Sequence, residues 1–581
     1  MKKNGRTALA RLGLSLCMLL GSANASIPQT ADPEHPKTGT YVTMKRQEMQ
    51  TDRDRPSSTL ETHAFGVGPG GSSTYLNSPP ANNSAASDLS IGVQQTRGVS
   101  RRLPGSKVGF NWPLHLAWRI FPKFMTNEMY RHLEDLGMNY VGIASGDEDS
   151  LFSNNWGPCP ATLEEMVANN RKGLAFGQEF NMGTLLYDSR LPNDVPDLPG
   201  ASVSAEERTR ILNERDTAFD SIKSIYESYR EVLDHWKGKR LEEKVMFLGW
   251  DERAPGELPR IARVAKAFHE ATGFHILSNF ASSYAPWVPD FPAYADEIAR
   301  TIRKRIFLID NYNFFNFDFG EGLDRFCFFS DLRDMSTAAR RYNVPFGIVV
   351  QQTPHGFGEV TGEPLPWQFF YRPLNLNGEE NMEWLKTQPL AFGAKATIMY
   401  SIWQSKDDQG IFYGPTVFKR DGTPNNEEPA RYYNTSRRII HDYNMIEWHL
   451  AYARHIETFL SGPLQPGPDF LSQTYATSHL FGLEESASSL TIGLFEKADG
   501  QPLVFVANRD YRNAATLKGW MYAPWTADGR QTQIRQYVPI SLREGAFVPL
   551  DAQQQYQLDE LGRGHFTIEI GKGQGVLLTA N

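Results

Sequence analysis

The chain has 581 residues, 40% hydrophobic, 22% charged and 12% aromatic, with a formal net charge of −8. The length exceeds one ordinary domain, and the composition is globular rather than disordered or fibrous. The acidic balance argues against nucleic acid as the main partner, because a phosphate-binding surface is usually basic.

Residues 1–25 read as a secretory signal peptide. Lys2, Lys3 and Arg6 open a basic region, an apolar stretch runs from Leu12 to Leu20, and Ala23-Asn24-Ala25 forms a small-x-small site before Ser26. The apolar part is too short for a permanent membrane helix, so the mature protein is expected to be exported, periplasmic or secreted, with no stable membrane insertion. Cys17 follows the bulky Leu16, which disfavours lipid modification. Removal of the signal leaves Cys159 and Cys327, which either pair or remain thiols. No zinc-type cysteine or histidine spacing is present. Residues 26–106 are polar and broken by Gly, Pro, Ser and Asn; such a lead cannot bury enough apolar area to offset ordering entropy and is expected to be largely disordered.

From residue 107 to 455 an alternation of apolar runs and amphipathic stretches repeats. The expected strands are Val108–Leu116, Asn139–Ala144, Leu174–Phe180, Val245–Trp250, His275–Asn279, Ile306–Ile309, Phe346–Val350 and Ala396–Trp403. Helices follow each, among them Asn127–Leu136, Leu163–Lys172, Ala205–Trp236, Pro259–Thr272 and Pro429–Ala453. Gly137, Gly173, Gly273 and Asn343 stand where left-handed helix caps are expected. Eight consecutive units predict an α/β fold, a (β/α)8 TIM barrel, in preference to a doubly wound sheet. After residue 456 the runs shorten and alternate, as in Leu490-Thr-Ile-Gly-Leu-Phe and Phe566-Thr-Ile-Glu-Ile, which predicts a small all-β sandwich over 456–581.

A barrel assembles its active site at the C-terminal ends of its strands. On the expected strands those ends carry Trp112 and His115, then Glu179, then Trp250, Asp251 and Glu252, then Asn279, Asp310 and Tyr312, Gln351 and Gln352, and Tyr400 and Trp403. Asp147 and Glu148, after the second strand, belong to an acidic loop expected to be solvated. No strand-end histidine pair accompanies the carboxylates, so neither a metal centre nor another cofactor is expected. Carboxylates, amides and aromatics together suit a sugar site. Glycosidic cleavage needs one protonated carboxyl group for the leaving oxygen and one carboxylate for the nucleophile or water.

The segments Gly249-Trp-Asp-Glu-Arg-Ala-Pro and Ala391-Phe-Gly-Ala-Lys-Ala-Thr-Ile-Met-Tyr-Ser-Ile-Trp, with the sandwich behind them, resemble barrel glycoside hydrolases of the broad β-galactosidase-like superfamily. The resemblance implies an acid/base Glu at the end of strand four, here Glu252, and an aromatic at the end of strand eight, here Trp403. The retaining members with these features place a nucleophilic Glu at the end of strand seven, where this chain has Gln351-Gln352. The second carboxylate is therefore expected from Asp310 or Glu179. Trp250, Asp251, Trp403, Tyr400, Gln351, Gln352, Tyr312, Asn279 and Trp112 are expected to bind a carbohydrate substrate. A glycan-binding barrel without catalysis, and a polysaccharide lyase or transglycosylase, are the competing readings. Sugar, linkage, anomeric outcome and oligomeric state are not set by the residues.

Overall fold

The computed structural model describes residues 113–144, 162–283, 285, 287–302, 306–311, 328–351, 379–400, 402–403, 416–419, 421–427, 431–463, 481–485, 488–523, 532–550 and 556–580, with backbone alone at Trp118, Arg119, Asp251, Gln351, Met399, Tyr400 and Glu485. The signal-like segment, the polar lead, both mature cysteines, Asp147, Glu148, Trp112, Tyr312 and Gln352 lie outside the described residues. No described helix is long and apolar enough to cross a membrane.

Among the described residues, eight parallel strands alternate with helices. They are β1 (Leu116–Ile120), α1 (Asn127–Leu136), β2 (Tyr140–Ile143), α2 (Leu163–Glu179), β3 (Gly183–Tyr187), α3 (Ala205–Gly238), β4 (Val245–Arg253), α4 (Leu258–Thr272), β5 (His275–Phe280), α5 (Phe291–Ile302), β6 (Phe307–Asp310), α6 (Phe328–Tyr342), β7 (Phe346–Gln351), α7 (Glu379–Ala391), β8 (Ala396–Tyr400) and α8 (Tyr432–Ala451). The strands lie side by side in chain order. The sheet closes where Leu114, just ahead of β1, bridges Ala396 of β8 in parallel and its N–H donates to Lys395 O at 3.1 Å. This is a (β/α)8 barrel, as the eightfold alternation predicts. Gly137, Gly273 and Asn343 adopt the left-handed conformation expected of helix ends, at φ 86°, 82° and 52°.

Two expected strands are corrected. The third is not Leu174–Phe180, which forms the last turns of α2. Gly173 suggested a helix cap, but it and Gly177 serve close packing. A Cβ at Gly173 would lie 2.4 Å from Ile143 Cδ1, and one at Gly177 2.3 Å from Thr184 Oγ1. The first strand begins at Leu116 rather than ending there. His115 therefore precedes it, on the side of the strand N-termini.

Alternation along the strands sorts side chains into two cores. Leu116, Tyr140, Leu185, Met246, Leu248, Leu277, Leu308, Val349, Ala396 and Ile398 form one cluster, with contributions from every strand, and fill the barrel lumen. The intervening residues, such as Val141, Phe247, Ile276, Ile309 and Ile348, pack outward under the helices. Each fully buried aliphatic or aromatic side chain of this kind contributes about 1.5–3 kcal/mol.

The C-terminal part forms two antiparallel sheets, as expected for a sandwich. The six-stranded sheet has the order β15-β14-β18-β12-β11-β9 and the four-stranded sheet β10-β13-β17-β16. Their strands are β9 (Arg454–Ser461), β10 (Phe481–Glu485), β11 (Leu490–Glu496), β12 (Pro502–Asn508), β13 (Ala515–Tyr522), β14 (Ile534–Ser541), β15 (Glu544–Pro549), β16 (Gln557–Leu558), β17 (Arg563–Ile570) and β18 (Gly575–Ala580). Ile492, Val504, Val506, Leu517, Phe566 and Ile568 fill the space between them.

Helix α7 joins barrel to sandwich and is buried from Asn381 to Ala391. It packs on β7 and β8 on one side and on β11 and β12 on the other. Its polar residues are matched accordingly. Trp384 Nε1 donates to Arg509 O at 2.9 Å, Thr387 Oγ1 to Gly573 O at 2.8 Å, and Gln388 Nε2 to Asn508 O at 3.0 Å. Gln388 Oε1 accepts from Thr491 Oγ1 at 2.6 Å.

Candidate active site

The lumen core ends one layer below the C-terminal rim. On β5 and β6 the next position with lumen parity after Leu277 and Leu308 is Asn279 and Asp310, both buried. The neighbours are in register, with Asn279 opposite Leu308 and Asp310 opposite Val349. Gln351 and Tyr400 occupy the corresponding backbone positions of β7 and β8 and pair with one another. On β3 the corresponding residue is Tyr187, half-buried, which the mistaken third strand concealed.

Strand β4 departs from this alternation twice. Leu248 faces Leu277 and Trp250 faces Ser278, so Gly249 is an extra residue. A Cβ at Gly249 would lie 2.4 Å from Ile276 Cγ2, which explains glycine there. This first bulge shifts the parity of β4. Trp250 joins Val245 and Phe247 in the outer core and is 5% exposed. It therefore does not line the lumen, contrary to the expectation that it binds substrate. The second bulge follows at once. Arg253 faces Phe280, which leaves Asp251 and Glu252 together opposite Asn279. Glu252 has φ 46°, a left-handed conformation rare outside glycine and asparagine. Glu252 is buried, at 8% exposure.

The surroundings hold this rim in place. Tyr294 of α5 donates its hydroxyl to Arg253 O, fixing the exit of the second bulge. Burial pushes the Tyr294 hydroxyl pKa up, and the negative charges of Glu257 and Glu252 raise it further. At the end of β6, Asn311 N donates to Val349 O at 3.0 Å. The Asn311 amide donates to Asp331 Oδ2 at 2.9 Å, and Ser283 N reaches the same oxygen at 3.2 Å. Asp331, in the first turn of α6 and 1% exposed, thus ties the ends of β5 and β6 together. Nothing in the sequence pattern pointed to it; an acid in a helix's first turn is ordinarily a capping residue. Asp188, just beyond β3, is buried and engaged by Arg190 Nη2 at 2.6 Å and the Tyr229 hydroxyl at 2.8 Å, a structural assignment.

Three further expectations are corrected. Glu179 ends α2 and is exposed at the N-terminal side of β3, away from the rim that carries Glu252 and Asp310. Trp403 is 2% exposed. Its indole stacks on Phe418 with centroids 4.7 Å apart and on Phe124 at 5.9 Å, which leaves no open face for a sugar. His115 lies below the lumen, where Nε2 meets Glu447 Oε2 at 2.5 Å, and Lys386 Nζ meets Glu447 Oε1 at 2.5 Å. That triad is fully buried and joins the entry of β1 to α7 and α8.

Several solved structures are similar to parts of this chain. A family 51 α-L-arabinofuranosidase from Bifidobacterium longum is 11% identical over 81% of this chain and 96% of its own, with a TM-score of 0.35. A GH51 arabinofuranosidase from Xanthomonas axonopodis pv. citri is 10% identical over 82% and 98%, with a TM-score of 0.37. A GH113 β-1,4-mannanase is 11% identical over 50% and 87%, with a TM-score of 0.28. A likeness at this level identifies neither an activity nor a substrate. No family model and no curated protein sequence matches the chain.

Proposed function

We propose that the protein hydrolyses glycosidic bonds of an oligo- or polysaccharide, with Glu252 as general acid and Asp310 as the second carboxylate. The observation that carries this reading is two buried carboxylates at the same rim, on β4 and β6, with Asn279 of β5 between them. The reaction requires such a pair, and an amide between them can bind a sugar hydroxyl. Strands β4 and β6 are two apart, roughly 9.5 Å between backbones. We take the inverting arrangement, whose carboxyl groups lie about 6.5–9.5 Å apart with room for a water, as the form this pair adopts. Asp310 then draws a proton from the water while Glu252 protonates the leaving oxygen. The N-terminal pattern supports action outside the cytoplasm, which N-terminal sequencing of the mature protein tests.

The test is to incubate the purified protein with a panel of aryl glycosides and polysaccharides and to follow the first-formed anomer by proton NMR. Cleavage with inversion is expected. Cleavage with retention would remove Asp310 from the role of base. A second reading, a glycan-binding barrel without catalysis, is favoured by Gln351 at the end of β7, where retaining members of the resembled superfamily have a Glu. Binding without cleavage across the panel would establish it.

A further inference from the structure

The four-stranded sheet of the sandwich turns one face to the six-stranded sheet and the other away from it. Leu517, Met521, Phe566 and Ile568 point inward. Alternation then puts Trp520 and Tyr522 of β13, and Arg563 and His565 of β17, on the outer face. The barrel helices α7 and α8 pack on β11, β12 and β14 of the other sheet.

This outer face is built around a flat aromatic. The Trp520 indole lies over Gly482 of β10, its partner in register. A Cβ on Gly482 would come within 2.5 Å of the indole Nε1 and 2.6 Å of Cε2, so any other residue would lift the ring off the sheet. Tyr522, two residues on and roughly 7 Å away along the strand, is 40% exposed. Beside them runs a polar row. His565 Nδ1 meets Glu484 Oε1, and its Nε2 meets Asp559 Oδ2 at 3.0 Å. Arg563 Nε donates to the same Asp559 oxygen at 2.7 Å, and its guanidinium carbon lies 5.3 Å from the Trp520 ring centroid.

We propose that this face is a second carbohydrate site, separate from the barrel, which takes a neutral glycan chain. Sugar rings present an apolar face of C–H groups that suits Tyr522 and the part of the Trp520 indole left beside the Arg563 guanidinium, and their hydroxyls donate to the carboxylates of Glu484 and Asp559. Neutrality follows from the charges. Arg563 and His565 are already matched by Asp559 and Glu484, so a polyanion would face carboxylates whose cations are engaged. The site does not depend on catalysis in the barrel.

The test is native affinity electrophoresis of the full chain through gels containing arabinoxylan, galactomannan or hydroxyethylcellulose, with polygalacturonate as the anionic comparison. At least one neutral polymer is expected to retard the wild type. Trp520→Ala and Tyr522→Ala are each expected to weaken that binding roughly tenfold. Tyr522→Ala, at the more exposed position, keeps the test decisive if Trp520→Ala fails to fold by circular dichroism. Lack of retardation in every neutral gel, retardation by polygalacturonate alone, or unchanged binding in Tyr522→Ala would each overturn the proposal. Loss of the neutral-gel retardation in Tyr522→Ala assigns the binding to this sheet rather than to the barrel.

Discussion

Glu252 and Asp251 share one place in the β4–β5 ladder, together opposite Asn279, and Glu252 fills it with a left-handed backbone. A side chain in that conformation costs roughly 1–2 kcal/mol relative to the right-handed regions. Strain of this kind persists where surrounding structure holds it and clusters at functional sites. The bulge thus places a buried carboxylate at the rim at some expense in stability.

Replacing the strained residue should release that cost. Glu252→Gly is expected to be about 1 kcal/mol more stable than Glu252→Ala. Both lose the same carboxylate, so the comparison isolates the backbone. Urea unfolding of the two variants checks it, and equal midpoints would mean that the backbone at 252 relaxes freely.

The catalytic assignment predicts a loss of rate with binding retained. Glu252→Gln and Asp310→Asn keep the side-chain size but remove the transferable proton or the base, and each should lower kcat by about 10²–10⁴-fold. Affinity for a cleavable substrate, read by calorimetry, should change little. Wild-type turnover in Glu252→Gln would end the assignment.

Asp331 is a positioning residue, acting through Asn311 and Ser283. Asp331→Ala leaves two donors without their acceptor and should cost about 1–3 kcal/mol. Displacing the end of β6 should also lower kcat by roughly 10–100-fold while KM holds. Asp331→Asn retains an acceptor oxygen and should recover part of both. A variant that loses stability at unchanged kcat would assign Asp331 to the scaffold alone.

Trp403 belongs to the core between Phe124 and Phe418. Trp403→Ala should therefore destabilise the protein by about 3–5 kcal/mol, with Trp403→Phe milder. Chemical denaturation measures this. An unchanged midpoint with abolished glycan binding would restore the indole as a sugar platform.

His449 of α8 sits between the rings of Tyr537 and Phe547, with centroids 5.1 and 5.0 Å away. Burial, with a smaller push from the Lys497 charge, lowers its pKa from 6.5 to about 4. The unfolded chain binds this proton more readily, so stability is full above pH 6.5 and declines as the pH falls toward 4. At pH 4.5 the loss from this one group is roughly 2–3 kcal/mol. Unfolding at pH 7 and 4.5 should show a smaller acid loss, by about that amount, in His449→Phe. Equal losses in both proteins would place the acid sensitivity elsewhere.

Much of the barrel was legible because β4 to β8 are apolar runs bounded by turns, and cap residues such as Gly273 separate them from helices. The end of α2 was not, since glycines that allow helix–strand contact look like breakers when their neighbours, Ile143 and Thr184, are distant in sequence. The position of Asn279 and Asp310 at the rim was legible, because parity alone decides it. The site was hidden where pairing decides it. The turning away of Trp250 depends on Gly249 meeting Ile276, and the burial of Trp403 on rings at 124 and 418.

Helix α7 carries a further meaning in its polar residues. On its outer side Trp384, Thr387 and Gln388 bond to Asn508, Arg509, Thr491 and Gly573 of the sandwich. A chain ending after α8 would bare an apolar flank and strip partners from Trp384, Thr387 and Gln388. The sandwich is thus a wall of the barrel as much as a neighbour to it. Recombination that exchanged one half for an unrelated module would have to rebuild α7, so the two halves are expected to be inherited as a single cassette.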